Sequence, residues 1–148
     1  MRDVAYVALG SNLGDRAAYL AAARDAIAAL PGTRVLSASP VEETAPVGPV
    51  DQGAYLNQML AIETTLAPRA LLEALLAVER ANGRVRDVRW GPRTLDLDIV
   101  SFERQTAREP GLVVPHPEVM NREFWWRPLG ALRRAVRELR AAEAEAEA

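Results

Sequence analysis

The run Arg89-Trp90-Gly91-Pro92-Arg93-Thr94-Leu95-Asp96-Leu97-Asp98-Ile99-Val100 brings two arginines, a tryptophan and two alternating carboxylates into one short stretch. Apolar alternation from Leu95 to Val100 predicts a β-strand, so Asp96 and Asp98 project from one face and Leu95, Leu97 and Ile99 from the other. At a rise of ~3.3 Å per residue the two carboxylates stand about 6.6 Å apart along the strand and repel each other unless a cation lies over them. A hard ion that takes oxygen ligands, such as Mg²⁺, turns that repulsion into attraction. Taken alone, an edge strand that shows Asp-x-Asp to water reads the same way. Arg84, Arg86, Arg89 and Arg93 lie just upstream, where Gly83, Gly91 and Pro92 interrupt any helix. Guanidiniums beside a carboxylate pair suit a metal-polyphosphate ligand, the aspartates holding the metal and the arginines forking onto phosphate oxygens. The alternative is mutual neutralisation as surface ion pairs.

The elements that would position this stretch follow from periodicity. Val4 to Leu9 is a β-prone run ending at Gly10, and Gly14-Asp15 opens a helix with Leu20, Ala23, Ile27 and Leu30 on one stripe, stopped by Pro31-Gly32. Arg34 to Thr44 predicts a second strand with Pro40 at an edge or bulge, and Tyr55 to Thr64 a third. Pro68 starts a second helix with Leu71, Leu72, Leu75 and Leu76 on its apolar face, capped by Asn82-Gly83. Strand, helix, strand, strand, helix, strand is the order of a ferredoxin-like split βαβ core: an α+β fold with an antiparallel-rich sheet flanked by helices in αβα layers. A short strand at Leu112 to Val114 is expected to join the sheet, and Pro117 and Pro128 to punctuate short helices. Residues 1–132 form one domain on this reading. The Ala/Glu/Arg-rich tail 133–148 is then a solvated helix or a frayed end.

Composition narrows the chemistry. At 148 residues the chain has the length of a single domain with one core. It has no cysteine, which rules out disulfides, a thiolate nucleophile and a cysteine-based zinc site, and fits a reducing cytoplasm. Every basic residue except His116 is arginine, so neither a P-loop lysine nor a Schiff base is available. A net charge of −2 argues against a broad nucleic-acid-binding face, and no apolar run reaches the length of a membrane span.

Gly10-Ser11-Asn12-Leu13-Gly14, between a strand and a helix, is a place where backbone amides can meet phosphate, or simply a tight turn with Asn12 bonded locally. Thr44 to Asn57, with Pro46, Gly48 and Pro49 in its middle, predicts a long loop between strands, and Tyr55 and Asn57 at i and i+2 offer a ring and an amide to one face. Glu79, near the end of the second helix, has the position of a solvated helical acid. His116 between two prolines has the setting of a structural loop histidine, and Trp90 that of a loop anchor or a stacking partner.

The Arg89 to Val100 signature resembles that of the 6-hydroxymethyl-7,8-dihydropterin pyrophosphokinases, as do VAYVALGSNLG (4–14), TAPVGPVDQGAYLN (44–57), ERANGRVR (79–86) and VPHPEVMNREF (114–124). These stretches occur in the family's order and reach to about Leu129. The resemblance implies transfer of a diphosphate from ATP to a pterin alcohol, with Asp96 and Asp98 holding two Mg²⁺ ions and with Arg84 and Arg93 catalytic. It implies pterin contacts at Thr44, Ala45, Val47, Tyr55, Asn57 and Phe124, and ATP contacts at Glu79, Arg84, Arg86, Trp90, Arg93, Ile99, His116 and Arg122. A cytoplasmic monomer that acts on small molecules, with neither nucleic acid nor membrane as partner, is the accompanying expectation. Pro117, Met120 and the tail depart from the family pattern. A non-catalytic metal-nucleotide binding module, or a metal-dependent nuclease or nucleotidyltransferase built on Asp96 and Asp98, would use the same strand. The aromatic and amide groups around Tyr55 favour a heteroaromatic acceptor over either.

Overall fold

A computed structural model describes residues 1–45, 53–83 and 94–148. The strands β1 (Asp3–Ser11), β2 (Thr33–Ala38), β3 (Glu42–Thr44), β4 (Tyr55–Thr64) and β5 (Asp96–Phe102) form one sheet in the order β2-β4-β1-β5, with β3 beside β2 on the same edge of β4. Every ladder is antiparallel. With β2 and β3 counted as one broken strand, this is the interleaved order of a split βαβ unit. The helices α1 (Arg16–Ala28) and α2 (Pro68–Ala81) pack on one face, and α3 (Glu123–Glu147) on the other. The α+β fold and its αβα layering are as the periodicity implies.

Local chemistry explains the boundaries. The Asp15 carboxylate accepts from the Ala18 amide and caps α1. Pro68 occupies the first turn of α2, where its missing N–H costs nothing, and Gly83 takes φ +76° just past the end of that helix. Leu20, Ala23 and Ile27 of α1 and Leu71, Leu75 and Val78 of α2 close over Ala5, Val7, Leu9, Leu60, Ile62, Leu97 and Ile99. On the opposite face Trp125, Leu129, Leu132 and Val136 of α3 cover Val4, Tyr6, Ala8, Met59, Ala61 and Val100. A bulge lets β5 serve both layers: Tyr6 pairs with Ser101 and Val7 with Ile99, which leaves Val100 as the extra residue.

Four expectations need correction. The Arg34 to Thr44 segment is two strands, because Pro40 lacks the N–H that a continuous ladder needs, and Ser39 instead bonds Met59 through both its backbone N–H and its hydroxyl. Leu112–Val114 (β7) does not join the main sheet but pairs with β6 (Ala107–Glu109) in a separate two-stranded hairpin. Pro128 does not end a helix: it lies inside α3, where its missing donor would have met the Phe124 carbonyl, and the helix runs on through the apolar contacts on both sides. The strand at Val4 does not stop at Gly10, which pairs with Asn57 on one side and Asp96 on the other. The tail is helical to Glu147 and is tied to the sheet by Arg140 to Glu63 and by Glu143 to Arg34. No helix among the described residues is long and apolar enough to cross a membrane.

Candidate active site

Sheet register brings the chemistry together. Asp96 lies opposite Gly10 and Asp98 opposite Ala8, while Asn57 lies opposite Gly10 from the other side. Residues directly across an antiparallel ladder share a face, so both aspartates and Asn57, with Tyr55 two residues before it, stand on the α3 side of the sheet. There they border a cleft of about 580 Å³, including its open mouth, lined also by Thr44, Ala45, Arg122, Phe124 and Trp125. The floor is β1, where Ala8 and Gly10 put almost nothing above the backbone. A Cβ on Gly10 would come within 3.3 Å of both Asn57 Oδ1 and the Tyr55 ring, so a side chain here would crowd both, and it is close approach rather than a turn that favours glycine.

One wall is β3 and β4. Asn57 Nδ2 donates to Thr44 Oγ1, which holds the amide so that Oδ1 stays an acceptor and leaves the Thr44 hydroxyl free to donate its own proton. Tyr55 borders the same space, and Phe124 enters it from the first turn of α3.

The opposite wall is acidic and basic together. His116 Nε2 lies 4.0 Å from Asp98 Oδ1, and its Nδ1 accepts from the Glu118 amide at 3.0 Å, which places the neutral ring's proton on Nε2, facing Asp98. Desolvation, and next the Arg122 guanidinium, push the His116 pKa below its usual value, against the weaker pull of Glu118 and Asp96. Trp125 fixes both groups: the His116 ring meets it edge-on at 4.8 Å and the Arg122 guanidinium lies 4.3 Å from its ring centre.

The structure thus gathers Thr44, Ala45, Tyr55, Asn57, Asp96, Asp98, Arg122 and Phe124 around one cleft, with His116 at its acidic edge. Two expected residues stand elsewhere. Ile99 is buried under α1 and α2, on the face away from the cleft, so its side chain has no access to a ligand there. Glu79 is not a solvated acid: it is 2 % exposed, and its Oε2 accepts from the Leu97 amide at 2.8 Å, tying the end of α2 to the backbone between the two aspartates. Val47, Arg84, Arg86, Trp90 and Arg93 lie outside the described residues. Asn12 Nδ2 donates to the Gly53 carbonyl at 3.1 Å, a contact that reaches beyond its own turn. Ala8 and Trp125 were missed from sequence, and Gly10 was read only as the start of a turn. The alternation of Tyr6, Ala8 and Gly10 was the available signal, but it becomes a floor only once the register is known.

Residues 6–134 match the family model described as 7,8-dihydro-6-hydroxymethylpterin-pyrophosphokinase. The chain is 50% identical over 127 residues to the 2-amino-4-hydroxy-6-hydroxymethyldihydropteridine pyrophosphokinase of Pseudomonas aeruginosa, covering 86% of this chain and 78% of that one. The protein of the same name from Bacillus subtilis is 44% identical over 151 aligned positions, covering 99% and 89%. The folic acid synthesis protein fol1 of Schizosaccharomyces pombe is 40% identical over 129 residues, which span 87% of this chain and 18% of that protein. With the match extending over both walls of the cleft and its floor, the chain belongs to the 7,8-dihydro-6-hydroxymethylpterin-pyrophosphokinase family.

Proposed function

We propose that the chain transfers pyrophosphate from ATP to the hydroxymethyl group of 6-hydroxymethyl-7,8-dihydropterin, giving AMP and the pterin diphosphate, as a step of folate biosynthesis. The supporting observation is the meeting of an acidic pair with an amide, a hydroxyl and two aromatic rings in one cleft. In the reaction the pterin hydroxyl oxygen bonds to the β-phosphorus, the bond from that phosphorus to the α-β bridging oxygen breaks, the bridging oxygen leaves with AMP, and the hydroxyl proton is released. No covalent enzyme intermediate is needed, so the protein's work is alignment, charge balance and water exclusion.

Asp96 and Asp98 fit Mg²⁺ by donor chemistry, being paired hard oxygen ligands on one face beside the cleft. Among the described residues no group of three or more acidic or histidine side chains could hold an ion, so phosphate oxygens and water would complete the coordination. Bound Mg²⁺, two ions on this reading, would neutralise phosphate charge and acidify the acceptor hydroxyl. Thr44, Asn57 and the backbone near Ala45 and Val47 pair with the polar edge of the pterin, since a buried polar edge must be satisfied. Tyr55 and Phe124 take its two faces. Arg122 and the Nε2–H of His116 supply donors to phosphate on the acidic side. Arg84 and Arg93 would brace the transferring group and AMP, with Arg86 and Trp90 as further ATP contacts, and alanine at Arg84 or Arg93 is expected to lower kcat much more than it weakens MgATP binding.

The test is AMP release from MgATP with and without the pterin, with chelator as a control. Pterin-dependent AMP supports the reading. Pyrophosphate release would indicate nucleotidyl transfer instead, and nucleotide binding without turnover a binding module.

A further inference from the structure

Strand β3 is three residues long and has few ladder bonds of its own, yet it carries Thr44 into the acceptor-side wall. Two arginines hold it, one on each face of the sheet. On the α3 side a single nitrogen of Arg127, Nη2, donates to both Glu42 oxygens, at 3.0 and 2.8 Å. On the α1 side Arg16 Nη2 lies 3.1 Å from Glu43 Oε2, while its Nη1 donates to the Ala54 carbonyl at 2.9 Å. Adjacent strand residues point to opposite faces, so the two bridges pull from opposite directions. Arg16 also grips the residue before Thr44 and the residue before Tyr55, and these two cleft residues face each other as the last rung of the β3-β4 ladder.

Neither arginine lines the cleft, and both ion pairs are partly exposed, so their effect on global stability is small. Their effect is on position. Displacement of β3 moves the Thr44 hydroxyl, which holds Asn57, and so spoils two hydrogen-bonding groups of one wall while Asp96 and Asp98, across β1, stay in place. We infer that Arg16 and Arg127 are positioning residues for the acceptor, clamping β3 through Glu43 and Glu42; the inference rests on the reading of this wall as the pterin side. Arg16 needs its forked guanidinium, because the single nitrogen of lysine cannot meet both the Glu43 carboxylate and the Ala54 carbonyl. Arg127 acts through one nitrogen, so lysine there retains part of the effect.

The experiment is steady-state kinetics with each substrate varied in turn, alongside thermal melts, on wild type, Arg16→Ala, Arg16→Lys, Arg127→Ala, Arg127→Lys, Arg127→Glu and the charge-swapped pair Glu42→Arg with Arg127→Glu. The expected result is a rise of about tenfold in KM for the pterin in Arg16→Ala, Arg16→Lys and Arg127→Ala, with KM for MgATP within about twofold. Melting temperatures should stay close to wild type, and the swapped pair should recover most of what Arg127→Glu loses. Equal changes for both substrates, or pterin KM values that stay at wild type in both alanine variants, overturn the inference. A wild-type enzyme that forms no pterin-dependent AMP overturns the functional reading and this inference with it, whereas an active wild type with unaffected variants overturns this inference alone.

Discussion

On the α1 and α2 side of β1 the side chains are Ala5, Val7 and Leu9, all sealed under two helices. On the α3 side of the same strand they run Val4, Tyr6, Ala8 and then the bare Gly10, and the cleft opens where they shrink. One face is filled from end to end. The other is filled only at the end where Trp125, Leu129, Leu132 and Val136 reach the sheet, and is left vacant where the aspartates stand beside Thr44, Tyr55 and Asn57. Stability and chemistry are therefore divided between two faces of one sheet, with β1 as the shared floor.

The sharpest way to separate the faces is to remove a carboxylate from the open one. Asp96→Ala or Asp98→Ala should leave a folded protein but cut diphosphoryl transfer by about a thousandfold or more, if the carboxylates hold Mg²⁺ as proposed and take no part in the core. An AMP assay beside a thermal melt checks this; near-wild-type turnover with Mg²⁺ present would end the metal assignment. The converse change is on the sealed face. Leu75→Ala empties a site that is 1% exposed and should cost about 2–5 kcal/mol in urea unfolding, with kcat near wild type at a temperature where the variant is folded. A large loss of kcat in that folded variant would show that the two faces are not separable.

Filling the floor tests the vacancy itself. Gly10→Val places branched carbon against Asn57 and Tyr55, so pterin affinity should fall by an amount comparable to overpacking, about 1–3 kcal/mol, with MgATP affinity largely kept. Calorimetry with a pterin analogue and with a non-hydrolysable ATP analogue would show a matched loss of both if the cleft is not divided this way. The smallest effect belongs to Phe124→Ala: with Phe124 on one face of the pterin as proposed, it would lose offset stacking of about 0.5–1.5 kcal/mol plus its share of burial and weaken pterin several-fold. Unchanged pterin affinity with weaker nucleotide binding would move Phe124 to the other wall or to the α3 core.

Much of this division was legible before the fold. Tyr55–Thr64 and Pro68 mark true boundaries, and period-2 alternation set Asp96 and Asp98 opposite Leu97 and Ile99, as observed. What periodicity does not carry is which strand lies next to which. Ala8 and Gly10 looked like a strand fading into a turn, and only pairing with Asn57 and the aspartates makes them a floor. Glu79 looked solvated because helical period alone cannot foresee that the start of β5 passes close enough to donate an amide to it. The break at Pro40, the separate β6-β7 hairpin and the passage of α3 through Pro128 have the same origin, in tertiary contacts that override local propensity.

α3 follows every strand in chain order, and it brings both the apolar cover of the open face and the Arg122, Phe124 and Trp125 side of the cleft. During synthesis the sheet can therefore assemble with α1 and α2 while Val4, Tyr6, Met59 and Val100 still face water. Until α3 has emerged, a nascent chain has neither a finished second core nor a complete cleft, so one late docking event both ends the exposure of that face to aggregation and closes the space beside the aspartates.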